Sequence, residues 1–175
     1  MKRVTKVRFR RSTYADIDDI MKIIKQAQSY LNKMGIDQWQ DGYPNAHVIE
    51  EDIKKGYSYI LVHGEEIIAT VAVSFDGEGT YGHIYKGQWL TDDGYAVMHR
   101  LAVEDNYKGL GISSKIIEHI KSLCIDRRIY SIKVDTHREN LSMQRMLEKN
   151  EFKRCGIIYL ENGDERIAFE KTFKQ

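Results

Sequence analysis

The stretch NYKGLGISSK, Asn106 to Lys115, sets Gly109 and Gly111 one residue apart, between an apolar run ending at Val103 and a helix-like pattern that follows. This feature limits the fold more than any other in the chain. It demands a strand, a short turn and a helix in that order, with a nearly bare backbone at the helix mouth. Glycine removes the Cβ atoms that would keep a ligand at a distance and permits positive φ. The first amides of a helix lack intrahelical partners and carry partial positive charge, which suits an anion. A plain tight turn is the other use of such a glycine pair.

The rest of the chain supplies the setting. Val7 to Arg10 reads as a short strand. Thr13 precedes a helix whose apolar face is Ile17, Ile20, Met21, Ile24, Ala27, Leu31 and Met34, with Asp16 in its first turn and Gly35 at its end. Turn residues fill Gly35 to Pro44, and Asn45 starts a second short helix reaching about Lys55. Tyr57 to His63 and Glu66 to Ser74 alternate as strands around Gly64-Glu65, a two-residue hairpin connection. Phe75 to Asp93, rich in Gly, Tyr and Asp, reads as a loop, and Tyr95 to Val103 as a strand. After the glycine loop, Ile112, Ile116, Ile117, Ile120, Leu123 and Cys124 recur at helical spacing. A strand over Ser131 to Thr136 and a helix over Asn140 to Lys149 follow. Two strands, Phe152 to Leu160 and Glu165 to Phe173, flank the hairpin signal Asn162-Gly163. This order predicts an α/β chain of the α+β kind, with a mixed, mostly antiparallel sheet flanked by helices.

Composition narrows the function classes. With 27 basic and 26 acidic residues, the net charge of +1 gives no general case for nucleic acid or an anionic membrane surface. The basic start, MKRVTKVRFRR, is followed by no apolar segment of the signal-peptide kind, and no run approaches the ~18 apolar residues of a membrane span. Cys124 and Cys155 have neither CxxC spacing nor the look of a disulfide framework, so a reducing, cytoplasmic setting is expected, with no metal. The length fits a single domain over residues 1–175.

Three phosphate-binding loops compete for the glycine pair. The nucleotide-binding P-loop requires GxxxxGK followed by Ser or Thr, which the chain lacks. The dinucleotide fingerprint GxGxxG matches at Gly109 and Gly111 but meets Ser114 in the third place, although Asp135 lies where a ribose-binding acid would stand. Its context also fails: Glu104 to Lys108 separate the strand from the glycines, and an antiparallel hairpin comes before. The third reading is an acyl-CoA pyrophosphate site.

At these residues the chain resembles the GNAT family of N-acetyltransferases. The family signature is Arg or Gln, two residues, Gly, any residue, then Gly or Ala, and it falls on Lys108, Gly111 and Ser113. Lysine keeps a cation beside the phosphates without a bidentate fork, and serine is still small. The stretch DTHRENLSMQRMLEKNEF, Asp135 to Phe152, resembles a second family segment through Asn140, Lys149 and Phe152. Glu151 stands at the family's usual glycine, so the turn there is expected to be made differently. The segment MGIDQWQDGYP is similar to one near the N-terminus of some bacterial members.

The resemblance implies a GNAT-like acyl-CoA N-acyltransferase fold and acetyl-CoA as cosubstrate, without metal. The reaction implied is transfer of acetyl to an amine of a small-molecule or peptide acceptor by direct attack on the thioester. The backbone of Leu101, Ala102 and Val103 would pair with pantetheine like an added strand. Lys108 and the amides of Gly109, Leu110, Gly111, Ile112, Ser113 and Ser114 would receive the pyrophosphate, and Asn140 would touch the pantetheine arm. Lys115, Arg145 and Lys149 are candidates to lie near the nucleotide phosphates, reading rather as solvated helix charges. His99, His83 and His137 are candidate bases. The family's usual acid, a tyrosine in the last helix, falls on Leu147, so no catalytic residue is assigned. Trp39, Tyr43, Tyr81 and Tyr159 are candidates to line an acceptor pocket, Trp39 reading rather as packing. No nucleic-acid or membrane partner is expected, and a homodimer is left open. The alternative from another class is a non-catalytic acyl-CoA-binding module of GNAT type.

Overall fold

The computed structural model describes residues 4–174. Its strands are β1 (Val7–Arg11), β2 (Ser58–His63), β3 (Glu66–Ser74), β4 (Ala96–Val103), β5 (Ser131–Thr136), β6 (Lys153–Tyr159) and β7 (Glu165–Thr172). Its helices are α1 (Ile17–Lys33), α2 (Ala46–Lys54), α3 (Ile112–Asp126) and α4 (Leu141–Lys149). The chain forms two compact units. The first holds the residues up to Val73 and Arg100–Ile116, and the second holds Ser74–His99 and everything from Ile117 onward. Strand β4 and helix α3 each contribute residues to both.

In the first unit, β1, β2 and β3 form an antiparallel meander, with Val7 opposite His63 and Ser58 opposite Ala72. Their inward residues meet an amphipathic helix face, which is what the two periodicities require. Ile20, Ile23 and Ile24 of α1 pack with Ile49 of α2, Ile60 and Val62 of β2, and Ala102 of β4. Asn45 starts α2 as foreseen, its side-chain oxygen accepting from the Val48 amide at 3.1 Å. Gly35 ends the α1 segment in the left-handed region at φ 70°. Asp16 lies in a 3-10 turn, Tyr14–Asp16, just ahead of α1. Arg10 Nη1 and Nη2 donate to its carboxylate at 2.8 and 2.9 Å.

In the second unit, Ala96 and Val97 of β4 pair in parallel with Ile132 and Lys133 of β5. β5 then pairs antiparallel with β7, and β7 with β6. The β1–β2, β2–β3, β5–β7 and β7–β6 pairs are antiparallel, which is the mixed, mostly antiparallel sheet expected. Tyr81, Val97, Ile158 and Ala168 form one buried cluster, with Trp89 and Tyr95 against it.

The expected loop after β3 is far from loose. It contains a 3-10 turn, Gly79–Gly82, and then runs beside β6, where Tyr85 and Ile157 exchange two backbone hydrogen bonds of 2.8 Å. Gln88 donates to the Cys155 carbonyl at 2.9 Å. Approach this close needs two glycines: a side chain at Gly87 would overlap the Cys155 carbonyl oxygen, and one at Gly156 would lie 2.5 Å from the Tyr85 oxygen. The fully buried Glu170 accepts from the Leu90 amide and from Ser131 Oγ, both at 2.6 Å.

The turn after α4 corrects one expectation. Glu151, at the position of the family glycine, makes a left-handed turn itself, with φ 66°. Lys171 Nζ lies 3.3 Å from its carboxylate and donates to the Asn150 carbonyl at 2.8 Å.

Candidate acyl-CoA site

In the first unit, residues 104–108 are fastened from several sides before the glycines begin. The Glu104 amide donates to Ile68 of β3 at 2.9 Å. Gln26 of α1 donates to the Glu104 carboxylate at 3.1 Å and accepts from the Asp105 amide at 3.0 Å. Tyr107 donates its hydroxyl to Glu66 at 2.6 Å and lies 3.4 Å from His63 Nδ1. Glycines can then be spent on shape, because the segment entering them is already placed. Gly109 and Gly111 take φ of 75° and 76°, and a Cβ on either would meet no protein atom within 4 Å. The open side is where a ligand can approach the backbone.

Helix α3 begins at once. Lys115 donates to the Gly111 carbonyl at 3.2 Å as its first intrahelical bond, so the amides of Ile112, Ser113 and Ser114 lie ahead of the helix's own ladder. Ile112 is fully buried and anchors this end, while Leu110, Ser113 and Ser114 are half-buried. Lys108 pairs with Asp105 and stands 5.0 Å over the Tyr30 ring. Its cation is therefore neutralised locally in this structure. Lys115, Arg145 and Lys149 are exposed, as solvated charges should be.

The end of β4 is kinked. Arg100, which is not glycine, has φ 52°, and the half-buried Leu101, the buried Ala102 and the half-buried Val103 follow it. Its guanidinium donates to both oxygens of Asp52 in α2, at 2.9 and 2.6 Å, and to the Tyr43 hydroxyl at 2.7 Å. Tyr43 thus serves this clamp, and Trp39 packs on the core as expected.

In the second unit, Asn140 caps α4, its side-chain oxygen accepting from the Met143 amide at 3.2 Å. Leu147, at the family's tyrosine position, is fully buried. Tyr81 is buried too and donates to Asp135 at 2.6 Å. Burial, reinforced by Asp135, drives its phenol well above the ordinary value. Tyr159 is exposed beside Tyr85, with ring centroids 5.4 Å apart. His83 is exposed, and His137 Nδ1 accepts from the Glu139 amide at 3.1 Å. His99 Nε2 lies 3.4 Å from Glu78 Oε2. The hydrogen bond to His99 is the main reason the Glu78 carboxyl is held down to about 2, with Thr80 assisting.

Sequence reasoning missed Glu78, Arg100, Asp52 and Tyr107. Glu78 carried one local signal, a carboxylate two residues before Thr80 in a glycine-rich turn, where it accepts from the Thr80 amide and hydroxyl, both at 3.2 Å. The others are joined to partners more than forty residues away.

Among the described residues no helix is long and apolar enough to cross a membrane. A family model, that of the acetyltransferase (GNAT) family, matches residues 18–152. A GNAT-family acetyltransferase from Streptococcus agalactiae superposes with a TM-score of 0.88 at 32% identity, over 97% of this chain and 96% of that one. One from Listeria monocytogenes gives a TM-score of 0.73 at 19% identity, over 95% of each chain. The PaiA N-acetyltransferase of Thermoplasma acidophilum, solved in complex with coenzyme A, gives 0.72 at 12% identity, over 97% of this chain and 100% of that one. At these lower identities the last two share the fold alone. No curated protein matches the chain.

Proposed function

The chain belongs to the GNAT family of acetyltransferases, and we propose that it moves an acetyl group from acetyl-CoA to an amine of a small-molecule or peptide acceptor. The observation that carries this reading is the glycine loop. Gly109 and Gly111 are left-handed with open space beside them, directly before the first amides of α3. A pyrophosphate can accept from several of those amides together, in the partial positive field of the helix start. Lys108 is close enough in sequence to exchange Asp105 for a phosphate oxygen.

The chemistry of an acetyl thioester and an amine is direct attack. The amine must be neutral, its nitrogen bonds to the carbonyl carbon, and the C–S bond breaks with the pair leaving on sulfur. The kinked end of β4 offers the backbone of Leu101, Ala102 and Val103 as an edge for the pantetheine amides. A second reading, an acyl-CoA-binding module without turnover, is favoured by one observation: the buried Leu147 stands where the family's usual acid would be.

Thermal shift with acetyl-CoA, CoA and NAD tests the binding. Stabilisation by acetyl-CoA and not by NAD is expected, and stabilisation by NAD alone overturns the reading. Thiol release from acetyl-CoA across a panel of amines tests turnover. Binding without release from any amine decides for the module.

A further inference from the structure

His99, one of the candidate bases, faces a carboxylate that is itself held in place. Its Nε2 lies 3.4 Å from Glu78 Oε2, and both side chains are about seven-tenths buried, with 27% and 30% of their surface exposed. The carboxylate does not swing freely. Its Oε1 accepts from the amide and the hydroxyl of Thr80, both at 3.2 Å, and the Glu78 amide meets the Tyr95 hydroxyl oxygen at 3.3 Å. One carboxylate oxygen is tied to its own turn and the other faces the imidazole.

A fixed anion at Nε2 selects the tautomer that carries its proton there and leaves the lone pair on Nδ1. That is the arrangement in which a carboxylate orients a histidine for proton transfer through the opposite ring nitrogen. The other ionisable groups on this side are Tyr81, with centroids 6.5 Å from the imidazole, Tyr95, which stacks on Tyr81 just ahead of β4, and Asp135 behind Tyr81. Tyr81 spends its hydroxyl on Asp135 and stays protonated. His99 also stands one residue before the kink at Arg100, on the strand whose continuation carries Leu101 to Val103.

We propose that His99 takes the proton from the acceptor amine through Nδ1, and that Glu78 is the positioning residue that orients the imidazole and steadies the imidazolium. This rests on the N-acetyltransferase reading above. As the nitrogen–carbon bond forms, the C–S bond breaks, its electron pair leaves on the CoA sulfur, and one amine proton passes to Nδ1. Transfer of that proton to the thiolate, directly or through solvent, gives the amide, the free thiol of CoA and a neutral imidazole.

The test uses the full chain with acetyl-CoA and three acceptors: spermidine, free amino acids, and a short peptide with an unblocked N-terminus. His99→Ala is expected to lower kcat by about 10²-fold or more, to leave acetyl-CoA affinity within about twofold of wild type, and to regain activity when imidazole is added. Glu78→Gln removes the negative charge that favours the imidazolium. Its kcat should fall, and the acid limb of its kcat/KM profile should move to lower pH with the KM for acetyl-CoA unchanged. That shift is not expected of a purely structural role, and it decides the matter if His99→Ala does not fold. Unchanged kcat in folded His99→Ala, or an unmoved limb in Glu78→Gln, overturns the proposal alone. A wild type that neither binds acetyl-CoA nor releases thiol with any acceptor overturns it together with the acetyltransferase reading.

Discussion

Arg100 grips Asp52 with two parallel hydrogen bonds, 2.9 and 2.6 Å long, at the residue where β4 leaves the extended conformation. A non-glycine residue in the left-handed region is disfavoured by about 1–2 kcal/mol, so the surroundings must hold it there. The side chains of the pair are 14% and 9% exposed, and removing one partner of such a pair typically costs about 3–5 kcal/mol. Asp52→Ala is therefore expected to lower stability to urea by about 3 kcal/mol and to weaken acetyl-CoA binding as the kink relaxes. Lost stability with unchanged affinity would show that the kink stands without the clamp.

Gly111 separates two penalties. At φ 76° any side chain is strained, by about 1–2 kcal/mol, yet no protein atom blocks it. Gly111→Val should lower the melting temperature of the free chain modestly and weaken acetyl-CoA at least about tenfold, equivalent to ~1.4 kcal/mol. Gly111→Ala should show similar strain with a smaller loss of affinity. Calorimetric titration of both would reveal a loop without phosphate contact if affinity followed only the loss of stability.

Leu147 and Tyr81 bear on the missing acid. Leu147 has no exposed surface, so Leu147→Tyr adds a ring and a hydroxyl to a packed site and should cost about 1–3 kcal/mol. No gain in kcat is expected. Tyr81→Phe strips Asp135 of a 2.6 Å donor and should cost about 1–3 kcal/mol. Because the Tyr81 phenol is held protonated, the alkaline side of the rate profile should not change. A higher kcat in Leu147→Tyr would restore the family acid to this position.

The grip of Arg10 on Asp16 makes stability depend on acid. That hydrogen bond, with help from Thr13, brings the Asp16 carboxyl down to about 2, against ~3.9 for an unfolded aspartate. As pH falls, the unfolded chain takes up this proton first. The contribution is complete above pH ~4 and disappears as pH falls through ~2, and it amounts to roughly 2 kcal/mol. Between about pH 5 and pH 2, the melting temperature of Asp16→Asn should fall less steeply than that of wild type. Parallel slopes would deny Asp16 this role.

Most elements were legible because their signals are local. Apolar spacing gave α1 and α3, Gly64 and Asn162-Gly163 gave the hairpins, and Asn45 marked its helix start. The segment from Phe75 to Asp93 hid its order because its fixings are distant, joining Leu90 to Glu170 and Tyr81 to Asp135. No glycine marks the kink at Arg100. Glu151 misled in the opposite way, since a missing glycine suggested a different turn and the chain kept the left-handed one. Relief of that strain, less the extra entropy of a glycine in the unfolded chain, should make Glu151→Gly more stable by about 0.5–1 kcal/mol. A thermal melt showing a lower midpoint would mean that the contact with Lys171 outweighs the strain.

The closeness of Gly87 and Gly156 has a bearing on how this chain behaves in company. β6 is the outermost strand of its unit, and an outermost strand ordinarily offers a row of vacant amides and carbonyls to any passing polypeptide. Here Tyr85 and Gln88 of the same molecule occupy that row along Cys155 to Ile157. The sheet carries its own end-stop there, and the room for it comes from two missing methyl groups.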